Sequence, residues 1–108
     1  MYEFEEIDAT QLQEMRGGGG IMLIDVRTDE EVAASGLIEG AAHVPLHQLP
    51  TRLAEFEPDA PTVLYCKSGA RSAQGCAFLA QRGFVKLFNL RGGVLAWIRD
   101  GFTLDHPA

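Results

Sequence analysis

Runs of apolar residues alternate along the chain with segments whose apolar residues recur every three or four positions. Residues 21–24 and 62–65 are the two clear apolar runs, and each predicts a parallel strand that is covered on both faces. Less regular strands are predicted at residues 41–44 and 85–90. Helices are predicted at residues 9–16, 29–35, 50–56, 72–82 and 94–98. The alternation favours β/α units over a sandwich or a helical bundle.

Capping residues and glycines mark the ends of these helices. Asp8 can cap the first helix, and Thr28 with Glu31 three residues later forms a capping box for the second. Pro50 can begin the third helix, and Gly83 suits left-handed backbone after the fourth. These residues therefore set boundaries for four of the five predicted helices.

Length and hydropathy bound the class of protein. A chain of 108 residues, of which 46% are hydrophobic and 22% charged, predicts one globular domain. We expect this domain to span residues 1–108, with a core from about residue 4 to about residue 104 and a loose tail at residues 105–108. No stretch approaches the roughly 18 apolar residues of a membrane helix. The acidic N-terminal segment lacks the plan of a secretory signal.

Cysteine content and charge narrow the functional classes further. Cys66 and Cys76 are the only cysteines, so we expect a soluble cytoplasmic protein that is not held together by disulfides. The net charge of -6 argues against nucleic acid and anionic membranes as partners. Residues 1–60 hold thirteen acidic and three basic side chains, whereas residues 61–99 hold six basic and no acidic ones. This asymmetry fits either ion pairs between the two halves or an anion site within the basic half.

The segment from Cys66 to Ser72 combines the features of a nucleophilic thiolate site. Cys66 follows a buried strand, and the loop after it leads into the N-terminus of a helix. The loop amides can therefore point at the sulfur, with the positive end of the helix dipole behind them. Lys67 and Arg71 add two positive charges, and Gly69 permits a sharp turn. Together these features favour a nucleophile with a lowered pKa over a merely buried cysteine.

Three other groups of residues carry candidate chemistry. Asp25 and Arg27 follow the first apolar run, at the carboxyl end of a strand where open α/β sheets place their sites. A buried aspartate there usually accepts backbone amides or pairs with an arginine, so we expect both residues to support the site rather than to react. Cys76 shares an apolar helix face with alanines and is expected to act as a small hydrophobe. His43 and His47 have the spacing of a helical metal pair, but a proline between them breaks that helix, so no metal site is predicted.

Four motifs resemble, in order and in spacing, those of the single-domain rhodaneses, a family of sulfurtransferases. They are Ile24-Asp25-Val26-Arg27 with a following glutamate, Gly40-Ala41-Ala42-His43-Val44-Pro45, the loop from Cys66 to Arg71, and Leu90-Arg91-Gly92-Gly93 followed by Ala96-Trp97. The resemblance covers about residues 4–104 and implies an α/β, rhodanese-like fold. That fold has a central, mostly parallel five-stranded sheet with helices on both faces.

The resemblance also implies the mechanism of a thiosulfate sulfurtransferase. Cys66 would take the outer sulfur from a small anionic donor such as thiosulfate, become a persulfide, and pass the sulfur to cyanide, a thiol or a protein. Asp25 and Arg27 would support this site. The residues implied to bind the donor are Lys67, Ser68, Gly69, Ala70, Arg71 and Ser72. Neither a metal nor an organic cofactor is implied.

Two alternative functions remain on the same fold. A persulfide carrier, loaded and unloaded by partner proteins, would use Cys66 with little turnover of small molecules. A cysteine-dependent phosphatase or arsenate reductase is disfavoured, because the related phosphatases have five residues between cysteine and arginine and this loop has four. The chain departs from the family pattern at Gly36-Leu37-Ile38, which lacks a common histidine, and at Gly101-Phe102-Thr103, which lacks a common proline. Both departures concern structural positions rather than the loop.

Overall fold

The computed structural model describes residues 3–106, which form a five-stranded sheet flanked by helices. The strands are β1 (Glu5–Ile7), β2 (Met22–Asp25), β3 (Ala42–His43), β4 (Thr62–Tyr65) and β5 (Leu87–Leu90). The helices are α1 (Ala9–Gly17), α2 (Asp29–Ser35), α3 (Ala70–Gln81) and α4 (Gly93–Arg99). Two 3₁₀ segments cover Leu46–Thr51 and Leu53–Glu55.

The sheet has the strand order β1-β5-β4-β2-β3, and all of these neighbouring strands run parallel. The expected α/β architecture with a central five-stranded sheet is thereby confirmed. Asp25 at the end of β2 lies beside Tyr65 at the end of β4, and the amide of Val26 donates a 3.0 Å hydrogen bond to the Tyr65 carbonyl. Because parallel strands end at the same edge, the segments that follow β2 and β4 lie next to each other.

Helices cover both faces of this sheet, as expected. Residues that alternate along β2 and β4 point to opposite faces, so both strands are apolar on both sides. The face covered by α3 and the 3₁₀ segments holds Ile24, Val26, Leu49, Leu64, Cys76 and Leu79. The face covered by α1 and α4 holds Leu12, Leu23, Val63, Tyr65, Leu90 and Trp97.

The predicted helix boundaries at Asp8, Thr28 and Gly83 are confirmed. The Asp8 carboxylate accepts a 2.8 Å hydrogen bond from the amide of Gln11, which begins α1. The Thr28 hydroxyl accepts from the amide of Glu31 at 3.2 Å, which begins α2. Gly83 has a φ of +92° just after α3, where a residue with a side chain would be strained.

Three elements of the structure differ from the prediction. Helix α3 begins at Ala70 instead of residue 72, because Gly69 adopts left-handed backbone and the helix starts directly after it. Strand β1 was not predicted, since an edge strand of three residues with one apolar side chain gives almost no pattern. The helix predicted at residues 50–56 is instead a pair of 3₁₀ segments, and Pro50 lies inside the first of them.

Asp105 lies in a β-bridge rather than in a loose tail. Its amide and carbonyl exchange hydrogen bonds of 2.6 and 2.8 Å with the backbone of Leu37. The loose tail predicted at residues 105–108 is therefore wrong at its first residue, while residues 107 and 108 lie outside the described part of the chain. The prediction of one domain over residues 1–108 stays a prediction. Between residues 3 and 106, no helix combines the length and apolar character needed to cross a membrane.

Candidate active site

Cys66 lies at the carboxyl end of β4, beneath a short loop whose donors point at its sulfur. The residue is only 1% exposed. The amides of Gly69 and Ser72 donate hydrogen bonds to Sγ at 3.1 and 3.5 Å, and the Ser72 hydroxyl lies 3.4 Å from it. The loop thus surrounds the sulfur with donors from its turn and from the first turn of α3.

Two opposing effects set the pKa of the Cys66 thiol. Burial raises the pKa because it removes water from the thiolate. The hydrogen bonds from the Ser72 hydroxyl and from the amides of Ser72, Gly69 and Ser68 outweigh burial and hold this pKa below its ordinary value. The largest stabilising contributions therefore come from loop hydrogen bonds, not from the two basic side chains to which the sequence analysis also assigned a share.

Gly69 allows the sharp turn of the loop, and its carbonyl accepts a hydrogen bond that ties the loop to β5. Its φ is +106°, and a β-carbon there would lie 3.3 Å from the amide nitrogen of Gly92. The Gly69 carbonyl accepts a 3.1 Å hydrogen bond from Nδ2 of Asn89 and lies 3.2 Å from the Ser72 hydroxyl. A hydroxyl has one proton, so Ser72 donates either to this carbonyl or to the Cys66 sulfur, and a negative charge on sulfur favours the second.

Asn89 is a site residue that the sequence analysis missed. It lies on β5, is 2% exposed, and donates from Nδ2 to a Glu6 carboxylate oxygen at 3.0 Å as well as to Gly69. Its Oδ1 is buried and accepts no hydrogen bond from the described residues. A polar residue inside an otherwise apolar strand was the available signal, because buried amides are normally retained for the bonds that they make.

The first turn of α4 holds the peptide groups on the other side of the cysteine. The amides of Val94 and Leu95 donate to the carbonyls of Cys66 and Lys67 at 2.9 and 3.1 Å. Amides in the first turn of a helix have no partner within the helix, so these loop carbonyls satisfy them. Gly93 has a φ of +56° and approaches both carbonyls so closely that a β-carbon could not be accommodated. In the glycine pair of the fourth motif, Gly93 therefore allows α4 to pack directly against the backbone of the loop.

Arg71 points to Glu31 of α2 and forms an ion pair with it. Its Nη1 and Nη2 donate to Oε1 and Oε2 at 2.6 and 2.8 Å. Hydrogen bonds from Arg71, reinforced by those from Thr28 and opposed by partial burial, lower the pKa of Glu31 to about 2. The sequence analysis gave Glu31 only a capping role and left the Arg71 charge available to substrate. The charge asymmetry between the two halves of the chain was the signal for this pair.

Asp25 and Arg27 form a second ion pair, which is buried. They are 0% and 2% exposed, and Nη2 of Arg27 donates to Oδ2 of Asp25 at 2.7 Å. The same guanidinium donates to the Ser35 hydroxyl at 2.8 Å and to the Gly36 carbonyl at 2.6 Å, where α2 ends. The pair thereby anchors the helix that carries Glu31, a position that fits the predicted supporting role.

A cavity of about 280 Å³ opens beside the loop, between α2 and α4. Its walls include Glu31, Ala34, Lys67, Leu95 and Ile98. Of the other predicted loop residues, Ser68 and Ala70 are exposed. Lys67 is also exposed, and no carboxylate among residues 3–106 forms an ion pair with it. The cavity lies next to the loop, with one unpaired cation at its wall.

Cys76 and the histidines lie in settings unlike that of Cys66. Cys76 is 0% exposed on α3, and burial, followed by the Glu6 carboxylate, raises the pKa of its thiol to about 12. Such a thiol stays protonated and unreactive at neutral pH. Nε2 of His43 lies 2.8 Å from the Arg27 carbonyl. Within residues 3–106, no three His, Cys, Asp or Glu side chains are grouped so that they could hold a metal ion.

Comparison with known proteins gives a consistent set of relatives. The family model of the Rhodanese-like domain matches residues 8–100. A sulfurtransferase of Allochromatium vinosum is 43% identical over 103 residues, which cover 94% of this chain and 95% of that protein. The thiosulfate sulfurtransferase GlpE of Ectopseudomonas mendocina is 35% identical over 97 residues, which cover 90% of this chain and 87% of that protein.

A solved structure shares the whole fold. The crystal structure of a rhodanese-related protein from Thermoplasma volcanium superposes with a TM-score of 0.85 at 26% identity. The match covers 96% of this chain and 100% of that one. The similarity therefore extends over nearly the whole chain and, together with the family match, confirms the expected rhodanese-like fold.

Proposed function

The chain belongs to the rhodanese-like sulfurtransferase family, and from that premise we propose that it transfers a sulfane sulfur through a persulfide on Cys66. The proposed donor is a small anion such as thiosulfate, and the acceptor is cyanide, a thiol or a protein. One observation carries the proposal: donors from Gly69 and Ser72 converge on the sulfur of a buried cysteine whose pKa is lowered. Hydrogen bonds that stabilise the thiolate favour the nucleophilic form of the cysteine.

In the first half-reaction, the Cys66 thiolate attacks the outer sulfur of thiosulfate. A sulfur–sulfur bond forms to Cys66, the bond between the two thiosulfate sulfurs breaks, and its electron pair leaves with sulfite. The loop amides that bond the thiolate lie within reach of the new terminal sulfur, which then carries the negative charge. Lys67 is exposed beside the loop and can stabilise the departing anion.

In the second half-reaction, an acceptor takes the terminal sulfur and restores the thiolate. With cyanide, a carbon–sulfur bond forms, the persulfide bond breaks, and its electron pair returns to Cys66. A thiolate acceptor attacks the same sulfur and leaves with a persulfide of its own. Neither step calls for a general base, because both attacking groups are already anionic. The reaction requires no metal and no organic cofactor.

Steady-state production of thiocyanate from thiosulfate and cyanide tests this function. We expect double-reciprocal plots with parallel lines, since sulfite leaves before cyanide enters. Cys66→Ser should be inactive, whereas Cys76→Ala should keep most of the activity because Cys76 lies in the core. Thiocyanate production that survives in Cys66→Ser would contradict the proposal, as would its absence in the wild-type protein.

A persulfide carrier that is loaded by another protein is the second candidate. The side chains of Leu95 and Ile98 are 53% and 51% exposed and line the same cavity as Lys67. Exposed apolar side chains beside a reactive sulfur suit contact with a protein surface. A carrier would turn over thiosulfate slowly and accept sulfur quickly from a persulfide-bearing protein, whereas an enzyme of the first kind would show the reverse order of rates.

A reducing compartment such as the cytoplasm is the proposed location. Both cysteines are free thiols, and in an oxidising compartment a reactive thiolate is oxidised to a mixed disulfide with a small thiol.

A further inference from the structure

The charges around the active loop are not equally available to a substrate. Both terminal nitrogens of Arg71 are engaged by Glu31, in an ion pair whose side chains are 34% and 29% exposed. Lys67 has no such partner among residues 3–106. A donor entering this site therefore meets one unpaired cation and one cation that is already neutralised.

The Glu31 carboxylate is held in place by its own helix. Oε1 of Glu31 accepts hydrogen bonds from the amide and the hydroxyl of Thr28 at 3.1 and 3.2 Å, at the start of α2. The end of α2 is fixed by the Arg27 guanidinium through Ser35 and Gly36. The pair with Arg71 is thus a fixed element, unlike an ion pair between two mobile surface side chains.

Glu31 also lines the cavity beside the loop, which we assign to the donor. It lines the 280 Å³ cavity together with Lys67, and much of the remaining wall is the apolar surface of Ala34, Leu95 and Ile98. Arg71 lies close enough to Cys66 for a thiolate there to raise the pKa of the arginine, after the larger effect of the Glu31 hydrogen bonds. The Glu31 carboxylate therefore neutralises the positive charge of Arg71, which also interacts with the Cys66 sulfur.

We propose that Glu31 determines which donors the site accepts, by neutralising Arg71 and so favouring singly charged organic sulfane donors over the thiosulfate dianion. The proposal rests on the sulfurtransferase function and specifies its substrate class. A donor with one negative charge can be balanced by Lys67, and its organic group can pack against the apolar wall of the cavity. A dianion brings a second charge, which Glu31 repels and for which Arg71 is not free.

Two donors that differ by one charge provide the test. Thiosulfate is a dianion, whereas methanethiosulfonate is a monoanion that gives up the same kind of terminal sulfur and releases methanesulfinate. We would measure kcat/KM for both donors, with cyanide as acceptor, in the wild-type protein and in Glu31→Gln. Gln keeps one oxygen for the Thr28 bonds, removes the charge, and replaces the second oxygen by an amide nitrogen that cannot accept from Arg71. The ratio of thiosulfate to methanethiosulfonate kcat/KM should rise about tenfold in the variant.

Glu30→Gln is the matched control. Glu30 is exposed on the same turn of α2, and its substitution removes one negative charge from the chain, as Glu31→Gln does. Its ratio should stay within about twofold of the wild-type ratio, because exposed and more distant charges are screened. An unchanged ratio in Glu31→Gln, or an equal rise in both variants, would overturn the proposal. Partial unfolding lowers both rates together and leaves the ratio intact.

The same data separate this proposal from the function on which it rests. If neither donor supports thiocyanate production in the wild-type protein, the sulfurtransferase function itself fails. If both donors react through Cys66 while the ratio does not respond to Glu31→Gln, the function stands and only the specificity role of Glu31 fails.

Discussion

The amide of Val94 donates a 2.9 Å hydrogen bond to the carbonyl of Cys66, so the first turn of α4 is bonded to the peptide of the proposed nucleophile. Leu95 does the same for Lys67. The front of the loop is held by Asn89 through the Gly69 carbonyl. The backbone carbonyls of the loop are thus held by two elements that lie late in the chain, by the amides of α4 and by the Asn89 side chain of β5.

Gly93→Ala should disrupt the hydrogen bonds between α4 and the carbonyls of Cys66 and Lys67. A β-carbon at Gly93 would overlap the carbonyls of Cys66 and Lys67, and its φ of +56° already strains a residue with a side chain. We expect a loss of more than about 2 kcal/mol in the free energy of unfolding, together with slower alkylation of Cys66. Urea denaturation and the rate of iodoacetamide labelling measure the two effects.

Gly83→Ala is the control for backbone strain alone. Gly83 has a φ of +92°, but no atom lies within 4 Å of its β-carbon position. We expect a cost of about 1 kcal/mol and no change in the alkylation rate of Cys66. Equal losses in both variants would show that Gly93 matters only for its own conformation and not for the loop.

Ser72→Ala should raise the pKa of the Cys66 thiol. The Ser72 hydroxyl is one of the donors that stabilise the thiolate, and loss of a hydrogen bond to a charged group corresponds to about one pH unit. The midpoint of the pH profile for iodoacetamide alkylation should move upward by that amount. Ser68→Ala keeps the Ser68 amide and removes only an exposed hydroxyl, so its midpoint should match the wild type. A shared midpoint for all three proteins would contradict the assignment.

Arg27→Met should destabilise the fold by about 3 to 5 kcal/mol, because it leaves the Asp25 carboxylate buried without its partner. Replacing both residues, as Asp25→Asn with Arg27→Met, should cost less than the single change. Urea denaturation of the three proteins measures the difference. The Arg52–Glu55 pair, whose side chains are 32% and 52% exposed, offers a comparison, since Arg52→Met should lower the free energy of unfolding far less than Arg27→Met does. A small loss in Arg27→Met would show that the buried pair is not an anchor for α2.

The Glu31–Arg71 pair should make stability depend on acid pH. The pKa of Glu31 falls from an ordinary 4.5 to about 2 on folding, so its contribution is fully present above 4.5 and is lost as the pH falls toward 2. Glu31→Gln should therefore flatten the loss of stability between about pH 4.5 and about pH 2. Urea denaturation at several pH values in this window checks the slope. An unchanged slope would mean that the pair does not form in solution.

Local pattern predicted the central part of the fold. The runs that form β2 and β4 are apolar on both faces, and Asp8, Thr28 and Glu31 cap helices in the expected way. Strand β1 was not predicted, and the two 3₁₀ segments were predicted as one helix, because these elements are short. Short elements depend on their neighbours for stability and carry little periodic signal.

The same limit applies to the site. Cys66 and its loop are contiguous in sequence, so the arrangement of strand, turn and helix could be predicted from their order. Asn89, Gly93 and Glu31 reach the loop only through tertiary contacts, across 20 to 40 residues for the Asn89 and Glu31 bonds. The sequence analysis left the charge of Arg71 available to a substrate, because the capping role of Glu31 does not indicate that its carboxylate also pairs with Arg71.

The persulfide on Cys66 is the central claim, and intact-protein mass spectrometry tests it most directly. The reduced protein would be exposed briefly to thiosulfate, desalted and weighed beside Cys66→Ser and Cys76→Ala. We predict a gain of one sulfur atom in the wild type and in Cys76→Ala, its absence in Cys66→Ser, and its removal by cyanide. No gain in the wild type, or the same gain in Cys66→Ser, would contradict the account.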